Sequence, residues 1–194
     1  MSLLLLLFAF PLFAQRGALT RPVTLAQMTE QAATIVRGRV ASVEVEPHPE
    51  YKHLRTVVVT LRVNKSLKGK AAETLTFRQF IWDVRDVRSA AGYRAGQDLL
   101  LFLNRTTEIG LTSPVGLEQG RFRLFTDAQG KTSAVNGARN SYLFTDSIEQ
   151  GAPTRMSALS RNVIANSRKR PGPVPIEVVE ESVQAYLRES GRSQ

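Results

Sequence analysis

The chain is 194 residues long, contains no cysteine, and sets 26 Lys and Arg against 17 Asp and Glu, for a formal net charge of +9. A disulfide framework, a thiolate metal site and a cysteine nucleophile are therefore excluded. With 42% hydrophobic and 22% charged residues the composition is that of an ordinary folding chain, and the length suits one domain.

Residues 1–14, MSLLLLLFAFPLFA, carry no charged side chain and are almost wholly apolar. As a helix they would span about 21 Å against a hydrocarbon core of about 30 Å, so they read as a secretory signal rather than a stable membrane span. A greasy first strand or helix is the competing reading. The expected exported chain starts at Gln15, and the expected location is periplasmic or secreted.

Downstream, Thr24 as N-cap and Gln27 three residues on form a capping box, with Leu25, Met28 and Ala32 on one face of a short helix reaching about Ala33. In TIVRGRVASVEVEP, Val36 and Val40 share one parity and Val43 and Val45 the other. A strand with a bulge near Ala41 and Ser42 accounts for the switch. After a loop rich in Pro and His, Val57, Val59, Leu61 and Val63 line one face of a long half-buried strand ending at Gly69. ETLTFRQF is a third strand, with Leu75 and Phe77 near its centre. IWDVRDVRSAAGYRAGQ breaks the pattern as a long loop or a short helix. DLLLFLN is apolar on both parities, the mark of a strand covered on both faces. GLEQGRFRLF and KTSAVNG then read as two strands around a turn at Asp127–Gly130.

Beyond Gly137 the periodicity fades into polar, basic, proline-punctuated sequence, which reads as a linker or a surface-hugging segment over 137–175. At residues 176–190, Ile176, Val179, Val183 and Leu187 fall at helical spacing, with glutamates early and Arg188 late, as the helix dipole favours, and Gly191 placed to end the helix. This amphipathic helix either docks on the preceding domain or serves a partner from a flexible tether. The expected fold is mostly β (α+β), a small curved antiparallel sheet or OB-like barrel of five or six strands over 15–136. A short helix precedes it, and the linker and amphipathic helix follow.

The succession TLAQMTEQAATIVRGRVASVE, TLRVNKSLKG, GYRAGQDLLLFLN and LEQGRFRL, from Thr24 to Phe125, resembles the order of segments in uncharacterised secreted bacterial proteins. It is similar in layout to the netrin-like modules of metalloproteinase inhibitors, whose barrel is of OB type. In those inhibitors cysteines at the mature N-terminus engage the protease metal. This chain has no cysteine, so the resemblance implies barrel architecture and does not carry inhibition with it.

Candidate chemistry is sparse. His48, Glu50 and His53 are proper zinc ligand types, but they sit in a proline-flanked loop without helical HExxH spacing, so a solvated hairpin tip is the favoured reading and no metal is expected. Asp83 and Asp86 could lie side by side on one helical turn as a general acid and base, the basis of a hydrolase reading; with Arg85 and Arg88 between and beyond them, a surface ion-pair cluster is the plainer account. No nucleophile elbow, Ser–Lys motif or phosphate-binding glycine loop occurs, and no cofactor is required.

Arg37 and Arg39 share the outward parity of one strand and Arg121 and Arg123 that of another, so a barrel could gather four guanidinium groups on one wall, suited to phosphate, sulfate or carboxylate. Solubilising charge is the competing account. Trp82, between Ile81 and Asp83, is either a core anchor or an exposed contact residue. Nucleic acid is disfavoured, because the aromatics that would stack bases read as core. The expected function is a binding module for an envelope or extracellular protein, with an anionic polymer as the second choice of partner and an enzyme as the third.

Overall fold

The computed structural model describes residues 21–149, 153, 156–167 and 171–191. The expected signal segment and the start at Gln15 lie outside these residues. Helix α1 (Leu25–Gln31) begins with the expected capping box, in which Thr24 Oγ1 accepts the Gln27 N–H and the Gln27 side chain accepts the Thr24 N–H at 3.2 Å. At its other end Lys68 Nζ donates to the carbonyls of Thr29 and Glu30 at 2.7 and 2.9 Å, satisfying acceptors the helix leaves open. Burial lowers the pKa of this ammonium, against the opposing pull of the Glu30 charge.

Seven strands follow: β1 (Thr34–Pro47), β2 (Arg55–Lys68), β3 (Thr74–Phe80), β4 (Asp98–Leu103), β5 (Arg121–Thr126), β6 (Thr132–Asn136) and β7 (Val174–Pro175). They form one antiparallel sheet in the order β3-β2-β1-β4-β5-β6-β7. The sheet is not closed, and it holds one or two strands more than the sequence pattern counts. The β1–β2 register shifts between Val40 and Ser42, where the phase of the valines switches, and also at Ile35/Val36 and Arg37/Gly38. At the last of these a Cβ on Gly38 would stand 2.4 Å from the Arg62 carbonyl oxygen, so the two backbones approach only because residue 38 is glycine.

Strand β4 is buried on both faces because the sheet separates two apolar layers. Leu99, Leu101 and Leu103 face one, with Val36, Val57, Val59, Leu61, Phe77 and Tyr93. Leu100 and Phe102 face the other, with α1, Phe122 and the helix α4 (Ile176–Ser190). Helix α4 is packed, not tethered: Ile176, Val178, Val179, Val183 and Ala185 are buried in the second layer. Gly191 does cap it, in the right-handed region at φ −72°.

The stretch 137–175 differs from the expected linker. It contains helices α2 (Thr145–Glu149) and α3 (Ala158–Ser167) and strand β7, and it buries Leu143, Phe144, Met156, Ile164 and Val174 in the α4 layer. Ser157 Oγ accepts the Ser160 N–H at the start of α3, and Glu181 of α4 accepts from Ser157 and Ser160. These hydroxyl and backbone donors lower the Glu181 pKa.

Between β3 and β4 run two short 3-10 turns, Val84–Val87 and Ala90–Gly92. Beyond β4, residues 111–114 span the gap from one end of the sheet back to its middle. Leu111 makes a parallel bridge with Arg78 of β3, and Pro114 an antiparallel bridge with Leu103 of β4.

Candidate functional site

Strand register decides the fate of the arginine wall. Arg37 and Arg39 of β1 stand opposite Leu100 and Asp98 of β4, whereas Arg121 and Arg123 of β5 stand opposite Leu101 and Leu99. Residues directly opposed across a ladder share a face and sequence neighbours alternate. The two pairs therefore lie on opposite faces of the sheet, and no single wall forms. Arg37 Nη1 is 3.3 Å from Glu180 of α4, which also takes Lys65 at 2.5 Å, and Arg39 is 3.4 Å from Asp98.

Arg121 is not outward at all. It is buried, donating to the Ala91 carbonyl at 2.7 Å and to both Glu118 oxygens at 2.5 and 2.6 Å, with its guanidinium carbon 4.3 Å from the centroid of the Tyr93 ring. Tyr93 in turn donates its hydroxyl to Gln79 Oε1 at 2.9 Å. Burial pushes the phenol pKa well up, with the Arg121 charge opposing the shift. Ala90, Ala91 and Gly92 all hold positive φ in the turn that presents the Ala91 carbonyl, and a Cβ at Gly92 would come within 2.7 Å of the guanidinium. This network fastens the β3–β4 connection to β5.

The His48, Glu50 and His53 loop is also structural. His48 is buried, and its Nδ1 accepts the N–H groups of Glu50 and Tyr51 at 3.2 and 3.1 Å. The other nitrogen must then carry the proton, and Nε2 donates to the Ile109 carbonyl at 2.7 Å. His53 is exposed beside the Tyr51 ring. Among the described residues no group of three or more His, Asp or Glu is placed to hold a metal ion.

Asp83 caps the turn at Val84, accepting the Arg85 N–H at 2.9 Å and pairing with the Arg85 guanidinium. That charge-assisted bond raises the Arg85 pKa. Asp86 is exposed and donates its backbone N–H to the Asp83 carbonyl. Asp83 thus builds the turn through its carboxylate and Asp86 through its backbone.

That turn carries the two most exposed large hydrophobic side chains among the described residues. Ile81 is buried and its N–H bonds the Arg55 carbonyl at 2.9 Å, which holds the chain at the end of β3. Continuing the strand alternation, Trp82 projects outward with 76% of its surface exposed, and Val84 follows at 80%. The Phe80 ring stacks edge-on against the indole, 5.0 Å between centroids at 84°. An apolar tip is therefore mounted on an anchored base and flanked by the Asp83–Arg85 ion pair. Of the two placements the sequence left open for Trp82, the structure shows the exposed one; the even spacing of Phe80, Trp82 and Val84 about buried Ile81 is the sequence signal for the exposure of Val84 beside it.

No protein-family model, curated protein or solved structure significantly matches this chain.

Proposed function

We propose that the protein is a binding module that docks a partner protein through the turn bearing Trp82. The observation that carries the reading is the exposure of Trp82 and Val84 on a turn tied to β2 through Ile81. Burying an indole removes roughly 150–250 Å² from water, worth about 4–6 kcal/mol before ordering costs at about 25 cal/mol/Å², and Trp is enriched among residues that dominate interfaces. The turn is held by the Ile81–Arg55 backbone bond and by Asp83 capping Arg85, so little conformational freedom is lost on docking.

Two further expectations accompany this reading. Residues 1–14 as a secretory signal make the partner an envelope or extracellular protein. The bridges of Leu111 to β3 and of Pro114 to β4 support an OB-like arrangement in which the gap between those strands is spanned by a stretch too short to count as a strand. The polyanion reading loses its support, because Arg37 and Arg121 are held by Glu180 and Glu118.

The test is a photo-reactive residue placed at Val84 in the producing cell. A discrete crosslinked adduct is expected, and Trp82→Ala, which changes stability by less than about 1 kcal/mol at so exposed a site, should abolish it. No adduct, or one indifferent to Trp82→Ala, overturns the proposal.

A further inference from the structure

Strand β3 forms one edge of the sheet. Its pairing with β2 is regular from Thr74 to Phe80, and the flanking bonds fix which backbone groups face inward. The Glu73 carbonyl accepts from Val63 and the Ile81 N–H donates to Arg55, so odd-numbered residues turn their backbone groups to β2. Even-numbered residues turn theirs outward. Arg78 accordingly accepts the Thr112 N–H at 2.8 Å, in the parallel bridge with Leu111. No hydrogen bond among the described residues takes up the outward N–H and C=O of Thr74 and Thr76.

Beside this open edge lies a cleft of about 230 Å³, walled by Leu75, Thr76 and Phe77 on one side and Leu103, Asn104 and Thr106 on the other. The edge is covered at Arg78 alone, by Leu111 and Thr112, and along Thr74–Phe77 it has neither proline nor lysine; its one cation, Arg78, is bound to Glu46 and Thr56. Two exposed arginines neighbour the cleft residues along the ladder or the chain without lining the cleft. Arg62 is opposite Thr74 in the ladder, and Arg105 stands between Asn104 and Thr106. Neither has an ion-pair partner among the described residues.

We infer that this seam recognises an extended acidic peptide segment of a partner protein by strand addition at Thr74–Thr76. The unpaired groups are backbone donors and acceptors at strand spacing, and an extended polypeptide is the ligand that matches them. The chain already demonstrates the pairing, since Leu111 and Thr112 add a short parallel piece of strand at Arg78 on the same edge. One apolar side chain of the incoming segment enters the cleft against Leu75, Phe77 and Leu103, and carboxylates on either side meet Arg62 and Arg105. A second copy of the chain suits the site poorly, because it brings a net charge of +9 to a basic rim. The inference rests on the reading of the protein as a binding module but uses a surface separate from Trp82.

The experiment titrates the full chain with an end-blocked heptapeptide of alternating Glu and Val, followed by calorimetry. Three comparisons accompany it: the same peptide N-methylated at alternate amides, a counterpart with Lys for Glu, and the variants Thr76→Pro and Arg105→Glu. Thr76→Pro removes an N–H that points away from β2, a substitution edge strands accept. Saturable binding is expected for the acidic peptide alone, weakened about tenfold or more by N-methylation or by Thr76→Pro and severalfold by Arg105→Glu. Trp82→Ala should leave it unchanged, so a failure here is distinct from failure at the Trp82 turn. Equal binding of the N-methylated or the Lys peptide, or no binding at millimolar peptide, overturns the inference. So does a dimer in sedimentation that Thr76→Pro dissolves, which would assign the edge to a second copy. Should Thr76→Pro fail to fold, the N-methylated peptide against the unaltered chain decides.

Discussion

Arg121 and Arg123 are two positions apart on one strand and point to the same side of it, yet their surroundings differ completely. Arg123 is exposed, while Arg121 lies under Glu118, the Ala91 carbonyl and the Tyr93 ring. Truncating Arg121 empties a buried site against the Tyr93 ring and takes the donor from the part-buried Ala91 carbonyl and from Glu118, so Arg121→Ala is expected to cost about 2–4 kcal/mol. Arg123→Ala should cost less than about 1 kcal/mol. Urea melts at neutral pH measure both, and equal losses would refute the assignment. The same melts at rising pH report on Tyr93. Its folded-state pKa lies above the usual value of about 10, so the unfolded chain releases the phenolic proton first. The stability tied to the neutral phenol is whole below that pH and falls as pH rises beyond it, by at most about 1.4 kcal/mol per pH unit for the one group.

Helix α4 shows how an element with an ordinary amphipathic pattern is fixed in place. Its apolar stripe packs on Leu100, Phe102 and Phe122 of the sheet, and Glu180 reaches Arg37 on β1 and Lys65 on β2. Val183→Asp puts an unpaired carboxylate into that layer and is expected to unfold the protein, since its cost of several kcal/mol approaches a typical total stability of about 5–15 kcal/mol. Glu177→Ala, on the exposed side of the first turn, should shift the thermal midpoint by no more than a few degrees. A folded Val183→Asp protein lacking only α4 protection in hydrogen exchange would show that the helix is dispensable to the sheet.

Helix α1, α4 and strand β4 were legible in the sequence because each carries its own period, and the β1 bulge because the valines change phase around Ala41 and Ser42. Helices α2 and α3 were not: Leu143, Phe144, Met156 and Ile164 reach the core at irregular intervals from a polar stretch, so no period betrays them. The arginine wall failed for a different reason. Arg37 and Arg39 do share one side of β1, and Arg121 and Arg123 one side of β5, although Arg121 is buried there; the relation between the two pairs is set by β4, whose register puts Arg37 against Leu100 and Arg121 against Leu101. Such a phase between non-adjacent strands is a property of pairing, which sequence alternation does not encode.

One sheet separates two apolar layers, so charge has to distribute over both outer surfaces instead of collecting on one. Several arginines are also neutralised internally, by Glu180, Glu118, Asp98 and Glu46. The net charge of +9 then acts as a diffuse field, which attracts any polyanion weakly and with strong salt dependence. Arg62 on β2 and Arg123 on β5 are both exposed and lie on strands separated by β1 and β4, which makes them a fair pair of reporters. If heparin retention reflects the field alone, Arg62→Gln and Arg123→Gln should lower it to a similar small extent, each reducing the slope of log affinity against log salt by less than about one. A localised site would behave otherwise: one substitution would remove retention and the other would leave it intact. That second outcome would restore a specific anionic ligand and place it beside the sensitive arginine.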